Sequence, residues 1–324
     1  MTRKKKCLSP YENLKNNLSD LLVKLGLDII VDDIPSKWEK HGDLILLPAS
    51  SFQNEMWSIL GEELWNAAAM ALKCNRIARK FPINNDDFRS PRVEMLKGSD
   101  SWVLHIDNKI KYTYDITKCM FSAGNISEKL RIAQLSCKGE TIVDLYAGIG
   151  YFTIPYLVHA KASLVHACEW NPHAVEALAR NLRLNNVKDR CIINYGDNRE
   201  VCPKGIADRV NLGLIPSSEK GWETACKALK STGGILHIHG NVTSKLHSVL
   251  HAEDVYVEQK NLHFHRNPEW SLWASDVCIR INDILTQLYS AKWTANTVSI
   301  IRIKSYAPHI DHLVADICCK PSEE

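Results

Sequence analysis

Three short stretches of this 324-residue chain carry side chains whose type and spacing point to nucleoside binding. The first is Val143-Asp144-Leu145-Tyr146-Ala147-Gly148-Ile149-Gly150-Tyr151-Phe152, an apolar strand running into Ala-Gly-x-Gly and then a helix. Glycines there let the backbone turn sharply and approach a ligand closely. The dinucleotide pattern G-x-G-x-x-G is incomplete, since Ala147 stands at the first position and the third glycine is absent. A pyrophosphate is therefore disfavoured, and a cofactor without phosphates fits better. The second is Glu169, 21 positions after Gly148 at the end of a second strand. An acid at that spacing is placed to accept both hydroxyls of a ribose. Trp170 beside it offers a face to an adenine ring. The third is Gly196-Asp197-Asn198, after a third strand. Asp197 can accept from an adenine amino group, and Asn198 has both donors and acceptors. Each stretch alone also reads as turn chemistry. Three at successive strand ends converge on the carboxyl edge of a sheet, where α/β proteins bind ligands.

The elements that position them alternate along the chain. Strands are expected at Thr141 to Tyr146, Leu164 to Cys168, Arg190 to Tyr195, Asp208 to Leu214 and Gly234 to His239. Helices are expected at Phe152 to His159, Ala174 to Leu184 and Trp222 to Leu229. This alternation predicts a doubly wound, mostly parallel α/β sheet. Ser299 to Lys304 and His312 to Cys318 read as a C-terminal antiparallel hairpin. Before about Cys119 the pattern is that of a small α+β domain. It has a strand at Asp43 to Leu47 and a helix from Phe52 to Leu72, with Leu60, Leu64, Ala67, Ala68 and Ala71 at helical spacing. Strands follow at Arg92 to Leu96, Trp102 to Ile106 and Ile110 to Tyr114, the last two joined by a turn at Asp107-Asn108. Asn84-Asn85-Asp86-Asp87 is a loop, and Tyr11 to Leu25 is a helix in a segment expected to be only partly ordered. The division is residues 1–34, 35–118 and 119–324.

Composition narrows the class. With 45% hydrophobic and 24% charged residues the chain is globular rather than disordered or collagenous. Forty Lys and Arg against 37 Asp and Glu leave a net charge of only +3, so an RNA partner would require clustered rather than numerous cations. Arg131, Arg199 and Lys204 near the cofactor edge, and Arg76, Arg79 and Lys80 in the smaller domain, are candidates; a solvated helix face explains each equally well. Tyr146, Phe152 and Trp170 are candidate platforms for stacked bases. The basic start, Met1 to Lys6, reads as a solvated tail with no apolar signal core behind it, and no apolar run is long enough for a membrane helix. Eleven scattered cysteines without a C-x-x-C pair suit reduced thiols in a cytoplasmic protein. His237 and His239 share one face of a strand, which suits buried, hydrogen-bonded histidines better than a metal site.

The constellation resembles the class I S-adenosylmethionine-dependent transferases, and more closely the tRNA wybutosine-synthesising protein 2 family. The residues that carry this are Phe121 to Arg131, Asp144 to Phe152, Cys168 to Val175, Gly196-Asp197-Asn198-Arg199, Leu212 to Ser218 and Lys304 to His312. The resemblance implies a Rossmann-like, class I methyltransferase-type domain over 119–324, with the small domain of 35–118 contacting tRNA. It implies transfer of the 3-amino-3-carboxypropyl group of S-adenosylmethionine to the tricyclic base 4-demethylwyosine at position 37 of phenylalanine tRNA, with methylthioadenosine leaving. No metal, no membrane and a monomer are expected. Related tRNA guanine-37 methyltransferases share the scaffold and carry Asn-(Leu or Pro)-Pro after the fourth strand; here Gly213 stands where that Asn would be, followed by Leu214-Ile215-Pro216. That departure argues against methyl transfer.

Carried over by the resemblance, Ser122 and Lys129 contact the cofactor, and we pair Lys129 with its methionine carboxylate; a solvated helix face is the plain alternative for Lys129. The rest of the cofactor set is Asp144, Tyr146, Gly148, Glu169, Asp197 and Asn198, with Asp144 orienting the turn or the amino group. Arg131, Arg199 and Pro216 are the candidates for tRNA. No general base is assigned, since His166, His237 and His239 are not ranked by sequence. The alternatives are a guanine-37 methyltransferase on the same scaffold and a non-catalytic RNA-binding protein; a nicotinamide dehydrogenase is more distant. Members of the family often have more sequence before Ile34-Pro35-Ser36-Lys37-Trp38-Glu39, so residues 1–34 are read as a shortened remnant.

Overall fold

The computed structural model describes residues 8–27, 33–86, 88–244 and 267–322; the basic start and Asp87 lie outside them. It divides into two units, one of residues up to Ile106 with Lys111–Phe121, the other of Asp107–Ile110 with Ser122 onward.

The first unit opens with helix α1 (Pro10–Lys24). Ser9 caps it in a capping box with Glu12, and Pro10 sits in its first turn, where its missing N–H costs nothing. Leu14, Leu18 and Leu22 fall at helical spacing and are buried, so this helix is part of a core rather than a loosely ordered segment. That core includes Ile45, Leu47, Trp57, Leu64, Ala68 and Ile77. Strands β1 (Glu39–His41), β2 (Leu44–Leu47), β3 (Arg76–Phe81) and β4 (Arg92–Lys97) form one sheet in that order. β2 and β3 are parallel, and helix α2 (Glu62–Leu72) connects them. The expected helix from Phe52 is broken: Glu55–Leu60 is a 3-10 turn, and Gly61, at φ +50°, separates it from α2. Strands β5 (Trp102–Asp107) and β6 (Ile110–Asp115) form a hairpin, with both Asn108 and Lys109 at positive φ. That pair is the turn type that matches the twist of two short strands.

The second unit holds a seven-stranded sheet. In chain order its elements are α3 (Ile126–Ala133), β7 (Thr141–Asp144), α4 (Thr153–Val158), β8 (Leu164–Glu169), α5 (Pro172–Leu184), β9 (Cys191–Tyr195), α6 (Asn198–Val201), β10 (Arg209–Leu212), α7 (Trp222–Ala228), β11 (Gly234–Thr243), α8 (Pro268–Leu288), β12 (Trp293–Ala307) and β13 (Ile310–Pro321). The strand order is β12-β13-β11-β10-β7-β8-β9. The five strands from β11 to β9 are parallel, and the β12–β13 hairpin adds to β11 antiparallel. The chain winds outward from β7 through β8 to β9, then returns to the other side of β7 with β10. That reversal makes the carboxyl ends of β7 and β10 the switch point, where such sheets open a crevice. Val143, Leu212, Leu236 and Ile238 from the strands pack with Trp222, Trp270 and Ile281 from the helices to form the core of this unit.

Candidate site at the carboxyl ends of the parallel strands

Asp144 ends β7 and is fully buried. Its carboxylate accepts from the Thr153 hydroxyl at 2.7 Å and from the Asn211 side-chain amide at 2.9 Å. Burial pushes this carboxyl upward, and those two donors hold it down in part. Asp144 therefore ties the start of α4 and the end of β10 to the end of β7. Neither Thr153 nor Asn211 was singled out from sequence. The signal for Asn211 was a polar side chain inside the apolar run Arg209–Leu212, which is rarely buried without a partner.

The turn after β7 is glycine-dependent. Gly148 has φ +55°, and a Cβ there would meet the Tyr151 ring at 2.6 Å. Its N–H donates to the Glu169 carboxylate at 2.7 Å. The other carboxylate oxygen accepts from the N–H groups of Trp170 at 3.0 Å and Asn171 at 2.8 Å. Burial pushes the Glu169 carboxyl upward against these three bonds. Glu169 thus links the ends of β7 and β8.

The third corner closes on the same turn. Asp197 caps α6 by accepting from the Arg199 N–H at 2.9 Å, and the Arg199 guanidinium pairs with the same carboxylate. That pairing holds Asp197 below the usual carboxylate range. Asn198 donates at 3.0 Å to the carbonyl of Leu145, the residue before Tyr146 in the turn. The Tyr146 phenol is pushed upward, chiefly by burial. Asp144, Tyr146, Gly148, Glu169, Asp197 and Asn198 are therefore gathered around one turn.

Ser122 and Lys129 lie before β7. Ser122 begins the 3-10 turn Ala123–Asn125 that leads into α3. Lys129 is 1% exposed, which overturns the reading of a solvated helix face. Its Nζ donates to Asp107 at 2.8 Å and lies 6.0 Å from the centre of the Tyr151 ring. Burial lowers its pKa, and Asp107 opposes that.

Several expected RNA contacts are placed elsewhere. Arg131 donates to both oxygens of the buried Glu128, at 2.7 and 2.8 Å, and to Asp316 at 2.8 Å. A guanidinium committed to two interior carboxylates is not a free phosphate donor, so Arg131 is an internal residue. The stretch from Lys73 to Lys80 is not a helix face. It contains β3, where Arg76 is bonded to Asp43 and to the Asp100 and Trp102 carbonyls, Arg79 pairs with Glu94, and Lys80 pairs with Glu39. Arg199 is exposed, as is Pro216, whose carbonyl accepts from the Asn241 N–H at 2.8 Å.

The histidines fall into two settings. His237 Nδ1 is 2.6 Å from Asp316, and His239 Nδ1 is 3.0 Å from His312 Nε2. These are buried strand histidines with partners. His166, on β8, has Nδ1 at 3.5 Å from the Asn194 amide. Among the described residues no group of three or more His, Cys, Asp or Glu is arranged to hold a metal.

The donor set suits S-adenosylmethionine. Glu169 offers acidic oxygens at a strand end, Asp197 and Asn198 offer groups for a base edge, and the turn provides backbone without a side chain at Gly148. Gly213, at the end of β10, has no room for a side chain: a Cβ would meet the Phe152 ring at 2.8 Å and the Asn211 amide at 3.2 Å.

Known proteins resemble this chain in sequence and in fold. A family profile described as the TRM5/TYW2 methyltransferase domain matches residues 103–262, and one described as the TYW2 N-terminal domain matches residues 18–101. The tRNA wybutosine-synthesizing protein 2 homolog of Danio rerio is 50% identical, over 99% of this chain and 81% of its own length. The Homo sapiens homolog is 48% identical, over 89% of this chain and 70% of its own length. The crystal structure of P. horikoshii TYW2 in complex with MeSAdo is 28% identical with a TM-score of 0.69, covering 95% of this chain and 100% of that one. By sequence and by fold, the chain belongs to the tRNA wybutosine-synthesizing protein 2 family.

Proposed function

We propose that this chain transfers the 3-amino-3-carboxypropyl group of S-adenosylmethionine to 4-demethylwyosine at position 37 of phenylalanine tRNA, in wybutosine biosynthesis. The co-substrate supplies a sulfonium. A carbon of the base bonds to the transferred carbon and then loses its proton, which ends in solvent, while the bond from the transferred carbon to sulfur breaks with its electron pair leaving on sulfur, as a neutral thioether. The protein's part is to hold the reactants in line, within about 3–3.5 Å. Glu169 accepts the ribose hydroxyls through the lone pairs its three backbone bonds leave open. Asp197 and Asn198 take the adenine edge, and Tyr146 flanks it. Gly148 lets the backbone reach the nucleoside. Lys129 faces the methionine carboxylate, and Ser122 opens the helix that carries it. Asp144 works through the turn, which it fixes by way of Thr153 and Asn211.

The observation that carries this reading over methyl transfer is Gly213. The methyltransferases of this scaffold carry an Asn after the fourth strand; here Gly213 stands there, and a Cβ at that position would meet the Phe152 ring at 2.8 Å. The test supplies S-adenosylmethionine labelled separately in its methyl and carboxyl groups, with tRNA from cells blocked at the tricyclic base. Carboxyl label enters the RNA. Methyl label in the RNA instead would overturn the reading.

The chain acts on the anticodon loop, where Arg199 and Pro216 lie on the exposed side of the site. It acts as a monomer in the cytoplasm. Its described cysteines are free thiols, which suits a reducing compartment, and no described helix is long and apolar enough to cross a membrane. Light scattering of the purified chain, alone and with tRNA, tests the monomer.

A further inference from the structure

The second unit has a hollow of about 150 Å³ between α6 and α7 that the cofactor residues leave out. Four cations line it, Arg199, Lys204, Lys220 and Lys227, against the single carboxylate of Glu223. Two of them have partners: Arg199 pairs with Asp197, and Lys227 with Glu223. Both pairs are on the surface, where an ion pair is worth little and exchanges readily for a stronger anion. Lys204 and Lys220 are exposed and have no carboxylate partner among the described residues. In a chain whose net charge is only +3, this concentration is local rather than a sample of the average surface.

The hollow adjoins the site on both sides. Arg199 shares the Asp197 carboxylate and follows Asn198, which holds the Leu145 carbonyl. Lys220 precedes Gly221, whose Cβ position is 2.5 Å from the Tyr146 hydroxyl. Lys220 also follows the Gly213–Ser218 loop at the switch point. S-adenosylmethionine carries no phosphate, and its one carboxylate is assigned to Lys129, so these four cations are left for another anion. A volume of about 150 Å³ is room for about five waters at ~30 Å³ each, enough for a hydrated phosphate group.

We propose that this hollow binds a backbone phosphate of the RNA next to the target nucleotide, with Lys204 and Lys220 as its principal cations. It fixes the register of the strand, while the base itself is recognised at the switch point, following the usual division between positioning and specifying contacts. The proposal rests on tRNA being the substrate.

The test compares K204A/K220A with K204R/K220R and the unaltered chain. Affinity for phenylalanine tRNA, and for its isolated anticodon stem-loop, is measured by fluorescence anisotropy across a salt series. Neutralising one phosphate contact lowers the slope of log affinity against log salt by about 0.7–1, which is a loss of about five- to tenfold at about 0.1 M salt. We expect that loss in K204A/K220A on both RNAs, recovery in K204R/K220R, and unchanged affinity for S-adenosylmethionine. Unchanged slope and affinity overturn the proposal. So does a loss on whole tRNA that the stem-loop does not share, since the contact then lies away from the target. A loss of S-adenosylmethionine affinity also overturns it, by assigning the hollow to the cofactor. If the unaltered chain binds tRNA and shows the expected lysine dependence but transfers no aminocarboxypropyl group, the reaction assignment fails and the phosphate site stands.

Discussion

Substituting Glu169 by Gln separates the cofactor role of this carboxylate from its structural one. The native group accepts three backbone N–H bonds, from Gly148 on one oxygen and from Trp170 and Asn171 on the other. Gln keeps one acceptor oxygen. With that oxygen turned toward Trp170 and Asn171, the Gly148 N–H faces an NH₂, and an unpaired donor costs about 1–3 kcal/mol. A compensating effect has the opposite sign. Burial raises the Glu169 carboxyl in the folded state. A carboxyl raised in this way lends stability below its unfolded pKa and loses it as pH rises through the folded pKa. At pH 7 its ionisation therefore works against folding, and an amide is free of that cost. The two terms oppose, so unfolding by urea should shift by no more than about 2 kcal/mol. Cofactor binding has no such compensation. Two hydroxyl bonds to a charged acceptor are worth about 1.5 kcal/mol each at the low end. Losing one and weakening the other removes about 2–3 kcal/mol, or roughly 30- to 150-fold in Kd. Calorimetric titration with S-adenosylmethionine, on protein shown to be folded by its urea transition, reads this directly. A Kd within threefold of the native value would refute the placement of the ribose at Glu169.

Three further outcomes follow from other parts of the fold. Thr153→Val removes one of the two donors to the fully buried Asp144, and should cost about 1–3 kcal/mol in urea unfolding; no change would mean that the carboxylate finds another partner. Stability should fall between about pH 6.5 and pH 4, because burial holds His239 well below the usual range and, with the charge of Lys304, holds His312 at about 4. A histidine depressed in this way gives its full stability above its unfolded pKa and loses it as pH falls toward the folded value, so His312→Asn should flatten the melting temperature across that window. Leu18→Ala should cost about 2–5 kcal/mol, since Leu18 is 0% exposed in the core that α1 shares with α2; a cost under about 0.5 kcal/mol would show that α1 is not integral to that core.

What was legible in the sequence was local and periodic. The parallel strands of the second unit were placed within a few residues because each holds a short apolar run flanked by turn residues; the C-terminal hairpin was placed, but its strands are much longer than expected. Asp144, Glu169 and Asp197 follow from the ends of the parallel strands. Those residues gather because a parallel sheet puts successive carboxyl ends on one edge. What was not legible depends on partners far apart in sequence. Arg131 reads as a surface cation until Asp316, 185 residues away, is seen to accept from it. The pairing of Lys129 with Asp107, 22 residues earlier, gives no local signal either. β3 was hidden because Arg76, Arg79 and Lys80 look like a charge run. Only Ile77 and Ala78 are buried there, and the cations are satisfied by carboxylates of neighbouring segments. Helix α8 was hidden for another reason: it opens at Pro268 straight after a stretch without a clear period, and its apolar positions Ala274, Val277, Ile281 and Leu285 are spread over several turns.

The near balance of 40 cations against 37 acids acquires a physical meaning from those interior pairs. Lys129, Arg131 and Arg209 each meet a carboxylate inside the second unit. Such groups stay paired because a buried charge left alone costs several kcal/mol. They hold elements together and are withheld from solvent, so they add nothing to the attraction of an RNA. Attraction must come from cations that folding leaves at the surface without a firm partner, and counting Lys and Arg in the sequence overstates these. Backbone contacts of that kind carry no sequence information, so the burden of selection falls on the base. The chemistry demands that arrangement. An enzyme that must find one modified nucleotide gains little from gripping every backbone, and gains much from holding one phosphate where the neighbouring base meets the switch point.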